Sequence, residues 1–124
     1  MTDWLSDEWL DAAQAGLSSV QFPELDARIQ FEVTDVRGGD QLVHAILQGG
    51  GLVGLAPGRL EDAGLTLTVA VADARALCEG TLQPSVAFMQ GRMKVAGSMG
   101  VLLALLLFAS TPTGRAARER LLRE

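Results

Sequence analysis

The sequence predicts an α+β domain over residues 1–124: a single five-stranded mixed sheet with helices on one side. Two observations carry this. Between Arg28 and Val71, short stretches that alternate polar and apolar residues or run apolar are separated by glycine- and proline-rich turns, which is strand patterning. Downstream, Arg92-Met93-Lys94-Val95 alternates again between Gly91 and Gly97, and Met99 to Phe108 is then apolar on nearly every side. The chain of 124 residues is long enough for a real core, and its 48% hydrophobic content includes only two Trp and four Phe. Leu, Val and Ala must therefore build the interior.

Taken in order, Ser6 is the expected N-cap of a first helix, with Asp7 and Glu8 in the turn where the helix dipole favours acids. Leu5 and Leu10 hold the positions of a hydrophobic staple, and Trp9, Leu10, Ala13 and Leu17 form one apolar face. The helix is expected over Asp7 to about Ala15, followed by a connection to Glu24. Ile29, Phe31 and Val33 alternate with Arg28, Gln30, Glu32 and Thr34, a strand with one wet face. Arg37-Gly38-Gly39-Asp40 is a turn, Gln41 to Gln48 a second strand, and Gly49-Gly50-Gly51 a second turn. Leu52 to Ala56 is a third strand, stopped by Pro57-Gly58, and Arg59 to Gly64 reads as a loop or crossover.

Leu65 to Val71 is the clearest strand, with Leu65, Leu67, Val69 and Val71 on one side. Asp73 is placed to cap a short helix through Glu79, which Gly80 ends. Pro84 can open another short helix, because a first-turn position has no N–H bond to lose, and Gly91 can close it with positive φ. Thr111-Pro112-Thr113-Gly114 breaks the last long helix; Arg115 to Arg123 is left open between a further helical turn or two and a frayed tail.

The order short helix, Gly, basic/apolar strand, Gly, apolar helix over Ala87-Phe88-Met89-Gln90-Gly91-Arg92-Met93-Lys94-Val95-Ala96-Gly97-Ser98-Met99-Gly100 resembles the C-terminal signature of the sterol carrier protein type-2 domain family. The likeness is clear over about Leu65 to Leu106 and only patterned upstream. It implies the same fold and a non-enzymatic carrier that binds a sterol, fatty acid or fatty acyl-CoA in an apolar cavity, without a cofactor. Two departures stand out: Val43 to Gln48 lacks the aromatic often found in that strand, and Leu105 takes a place in the last helix where a Lys is common.

The residues themselves exclude several chemistries. A net charge of −5 argues against nucleic acid as a partner. The one histidine, His44, lies in an expected strand with no orienting partner, so it is read as structural. Cys78 is the only cysteine; it is read as buried and structural, and it points to a reducing, cytoplasmic setting. One Cys and one His offer no zinc spacing, so no metal is expected. Ser98 lacks the second half of a nucleophile elbow, and Gly49, Gly50, Gly51 and Gly54 lack the Lys-Ser/Thr of a phosphate cradle. Val101 to Ala109 is too short to span a bilayer.

The 99–108 helix is the informative case, since a helix apolar all round is buried twice or covers something besides protein. A lipid cavity beneath it and a homodimer or partner interface, such as one with a lipid-metabolising enzyme, both solve the problem; the family resemblance favours the cavity. On that reading Met93 and Val95 face Met99, Leu102, Leu103 and Leu106 across the cavity, Phe88 and Met89 close one end, and Arg92 and Lys94 steady an anionic head group at the rim.

Overall fold

The computed structural model describes residues 6–17, 19–36 and 39–120. The elements are α1 (Asp7–Leu17), β1 (Ala27–Val36), β2 (Gly39–Gln48), β3 (Gly51–Pro57), β4 (Leu65–Ala70), α2 (Val71–Glu79), α3 (Pro84–Met89), β5 (Met93–Gly97), α4 (Met99–Ser110) and α5 (Pro112–Arg120). The strands form one sheet in the order β3-β2-β1-β4-β5. β1 and β4 run parallel and every other pair is antiparallel, so the sheet is mixed, as expected.

The pairing register explains why the helices lie on one side. Phe31 stands opposite Val43 on β2 and Leu67 on β4, and Leu67 stands opposite Val95 on β5. Side chains alternate along strands, so Ala27, Ile29, Val33, Val43, Ala45, Leu47, Leu65, Leu67, Val69 and Met93 share one face, and all are buried. Two clusters cover that face. Trp9 and Leu10 of α1 and Ala74 of α2 pack on Val33, Val43 and Val69. Leu82, Ala87 and Leu102 pack on Ala27, Ile29, Leu47, Leu65, Leu67 and Met93.

Local sequence accounts for the ends. Ser6 Oγ accepts the Trp9 N–H at 3.2 Å, capping α1, which runs two residues beyond the expected Ala15. Leu5, the other half of the expected staple, and Arg37-Gly38 of the first turn lie outside the described residues. Pro84 occupies the first turn of α3, Gly80 closes α2 at φ +84°, and Gly91 follows α3 at φ +74°.

Two expectations are corrected and one open question is resolved. The β4 strand ends at Ala70, and Val71 already begins α2 with Ala70 at the N-cap and no side-chain cap; Asp73 lies in the first turn and serves an ion pair instead. Gln30 is not on a wet face but only 2% exposed. The β3–β4 crossover passes over it: Gln30 Nε2 donates to the carbonyls of Val43 and Gly58 at 3.1 Å each, and its Oε1 accepts the Leu60 N–H. Burial is tolerated because each polar atom is paired. Beyond α4, the question left open over Arg115 to Arg123 resolves as far as Arg120, as a fifth helix that starts at Pro112, bent 89° from α4; residues 121–123 lie outside the described residues. Thr111 makes the corner by donating to Phe108 O at 2.6 Å and accepting the Gly114 N–H at 3.0 Å.

Candidate functional site

The site is built where the starts of β1 and β4 meet the first turn of α4. Gly97 sits opposite Leu65 with φ +114°, and the Ser98 N–H donates to Gly64 O at 2.8 Å. Ser98 Oγ then accepts the Val101 N–H at 3.2 Å and caps α4. These contacts place Val101 over Ala27 and Leu65, and a half-open cavity of about 220 Å³ lies between them. Its apolar wall is Ala27, Gly64, Leu65 and Val101; Asp26, Arg28 and Asp62 form a charged rim. Arg28 Nε meets Asp62 Oδ1 at 2.9 Å, an exposed pair that contributes little to stability.

The expected lining residues divide. Met93 and Leu102 are buried in the core beneath α4, with Phe88, Val95 and Leu106 half-buried at its border. Leu103, expected to face inward, is 56% exposed, Met89 is 83% exposed and Met99 50%. The helix is rotated from the expected orientation: Val101, Leu102, Leu105 and Leu106 face the core while Met99, Leu103 and Leu107 face out. The physical reason is that α4 is apolar on all sides, so no pattern in its sequence selects the inner face. The Ser98 cap and the Gly64–Gly97 approach select it instead. Phe108 is turned inward too, 5.1 Å between ring centroids from Phe22.

The two basic residues do not line this cavity. Arg92 precedes β5, and its guanidinium donates to Asp73 at 2.7 Å. Lys94 is exposed on the sheet face away from the helices. Since Met93 pairs with Val69 and Gly97 with Leu65, Arg92 lies roughly 17 Å along the strands from the cavity end. The charged residues that do reach the rim were missed because Asp26 and Asp62 are brought together only by tertiary structure.

The remaining polar candidates have structural roles. A ring nitrogen of His44, Nδ1, is 3.1 Å from Gly58 O, on the crossover side of the sheet. Among the described residues no three His, Cys, Asp or Glu side chains gather as metal ligands. No single described helix is long and apolar enough to cross a membrane.

Cys78 is buried, and burial pushes its thiol up from 9.0 to about 11, an effect that nearby Arg118 opposes. A raised folded-state pKa means the stabilising share is complete below the unfolded value and is lost as pH rises through the folded one. Stability should therefore fall between about pH 9 and pH 11, and Cys78→Ala should flatten that part of the profile. At pH 8 a thiol reagent should modify the folded protein only as fast as it opens; rapid modification would contradict the assignment.

Comparisons with known proteins agree with this fold. Residues 7–106 match the model of the SCP-2 sterol transfer family. Sterol carrier protein 2 of Rattus norvegicus is 35% identical over 75 residues, which is 60% of this chain and 14% of the rat protein. This chain thus spans a small part of that relative. A crystal structure of sterol carrier protein 2 superposes with a TM-score of 0.75 at 21% identity, covering 94% of this chain and 98% of the other. A palmitated sterol carrier protein 2-like protein of Aedes aegypti gives 0.67 at 17% identity, covering 90% and 96%. At such identities the structural likeness speaks to the fold, and the family match over most of the chain speaks to descent. The chain belongs to the SCP-2 sterol transfer family.

Proposed function

We propose that this chain is a non-enzymatic lipid carrier that holds a sterol, fatty acid or fatty acyl-CoA by its apolar part between α4 and the sheet. The observation that carries the reading is the cavity under Val101, walled by Ala27, Gly64 and Leu65 and opening to a charged rim. Small-molecule sites are apolar concavities with a few polar groups at fixed places. At about 220 Å³ the cavity is smaller than the several hundred Å³ such ligands fill, so loading requires α4 to move away from β1 and β4. An all-apolar helix suits that movement, because no polar side chain on its inner face must give up a hydrogen bond to the sheet. Val95, Leu105 and Leu106, half-buried along the seam, supply further wall as it opens. Family membership supports the same reading. Transfer then consists of binding, diffusion and release.

Val101→Trp tests this. The new ring should occupy the cavity and weaken binding of a fluorescent fatty acid at least tenfold, with the melting temperature of the lipid-free protein nearly unchanged. Leu103→Trp, on the exposed side, is the control and should alter neither quantity. A dry, close-packed site would respond instead with a loss of roughly 1–3 kcal/mol from overpacking. That loss, together with no lipid binding by the parent, would reject the proposal.

A further inference from the structure

The helix α5 is attached to the rest of the fold in an unusual way. Its buried residues are Gly114 and Ala117, so among the described residues the apolar side chain it buries is a single methyl group. Gly114 lies close against the backbone of Phe108 and Ala109, and two arginines supply the side-chain hydrogen bonds from the described part of α5 to the other helices. Arg118 Nη1 donates to Leu77 O of α2 at 2.7 Å, and Nη2 donates to Ala109 O of α4 at 3.1 Å. Arg120 Nη1 donates to Gly16 O of α1 at 2.9 Å.

All three carbonyls belong to the last four of their helices, the groups that lack a partner within the helix and carry the negative end of its dipole. An ionised donor bonds such oxygens more strongly than a neutral one. Arg118 Nε is buried with no hydrogen-bond partner among the described residues, a desolvation cost that offsets part of what its other bonds contribute. A helix held by few polar bonds and little apolar area belongs to the part of a fold that opens locally at low cost.

We infer that α5 is a strap, fastened by Arg118 and Arg120 across the ends of α1, α2 and α4, whose release sets the rate at which lipid passes beneath α4. The inference rests on the carrier reading above. Its geometry follows from the two ends of α4. The first turn is tied to the sheet through Ser98 N–H to Gly64 O, and the last turn is tied to α5 through Ala109 O. When α5 lets go, α4 can swing about its first turn and open the seam along Leu105 and Leu106. The strap acts on passage in both directions, so loosening it speeds uptake and release together and leaves the equilibrium affinity nearly unchanged.

The test uses the full chain with Arg118→Gln and Arg120→Gln, singly and combined. Amide hydrogen exchange reports the docking of α5, and stopped-flow release of NBD-stearate to excess phosphatidylcholine vesicles reports passage. The double variant should lose protection in α5 and the second half of α4, and release the probe at least tenfold faster, with a dissociation constant within about threefold of the parent. Arg120→Gln alone touches only an exposed bond and keeps the test open if the double variant fails to fold; it should show the same effects, smaller. A variant whose α5 exchanges freely while release stays within twofold of the parent overturns the inference, as does an α5 that remains protected without both arginines. A parent that takes up no probe at all removes the carrier reading, and this inference with it, which is a different result from unchanged release.

Discussion

Gly97→Ala is expected to be severely destabilising for a change of one methyl group. Gly97 holds φ +114°, a region L side chains rarely adopt, and a Cβ there would overlap the Gly64 carbonyl oxygen and crowd the Leu65 Cα. Both neighbours are backbone of β4 and its approach, so neither can rotate away. Strain at the dihedral and overlap with main chain add, and the expected cost is on the order of 3–5 kcal/mol. For a chain of 124 residues that lowers the melting temperature by roughly 10–20 °C. Gly91 is the matched comparison: φ is +74°, yet nothing lies within 4 Å of a built Cβ. Gly91→Ala should therefore cost only about 1 kcal/mol, the conformational share alone. Equal losses at the two glycines would show that the Gly64–Gly97 approach does not constrain the fold.

Leu102→Ala should also be severe. Leu102 is 1% exposed and is the fully buried side chain of α4, packed among Ile29, Leu65, Leu67 and Met93. Truncation removes buried methyl groups and leaves a void, at a cost of about 2–5 kcal/mol. Ala27 and Leu65 belong both to the cluster around Leu102 and to the wall of the Val101 cavity, so the lipid-binding account adds a second expectation. A saturating fatty acid should restore part of the lost stability in the Leu102→Ala protein, and more than it adds to the parent. Calorimetric unfolding with and without ligand measures both quantities. A loss below 1 kcal/mol would mean that α4 is not seated on the sheet through this residue.

Much of the sheet was legible in the sequence because period-two patterns are local. Leu65, Leu67 and Val69 point inward as their alternation demands, and the positive φ at Gly80 and Gly91 falls where the element breaks predicted. What was not legible depended on contacts between distant residues. Gln30 alternates like a wet-face residue, and only the crossover, thirty positions on at Leu60, buries it and pairs its amide. Leu103 and Leu102 are equivalent in an all-apolar helix until the cap at Ser98 sets the rotation of α4. Arg92 reads as a free cation beside Lys94, but folding commits it to Asp73. Arg118 carries no sequence signal for its role, since the carbonyls it binds belong to the ends of two other elements, α2 and α4.

The central claim is that the space beneath α4 holds a lipid, and native mass spectrometry tests it most directly. The protein would be purified without detergent or organic solvent, then measured before and after incubation with palmitate or cholesterol. The account predicts ions of one chain of 13.1 kDa plus one lipid molecule, with the Val101→Trp protein measured alongside and depleted in that species. Bare single chains in every sample would contradict it, and dimers free of lipid would contradict it and assign the apolar surface of α4 to contact between proteins.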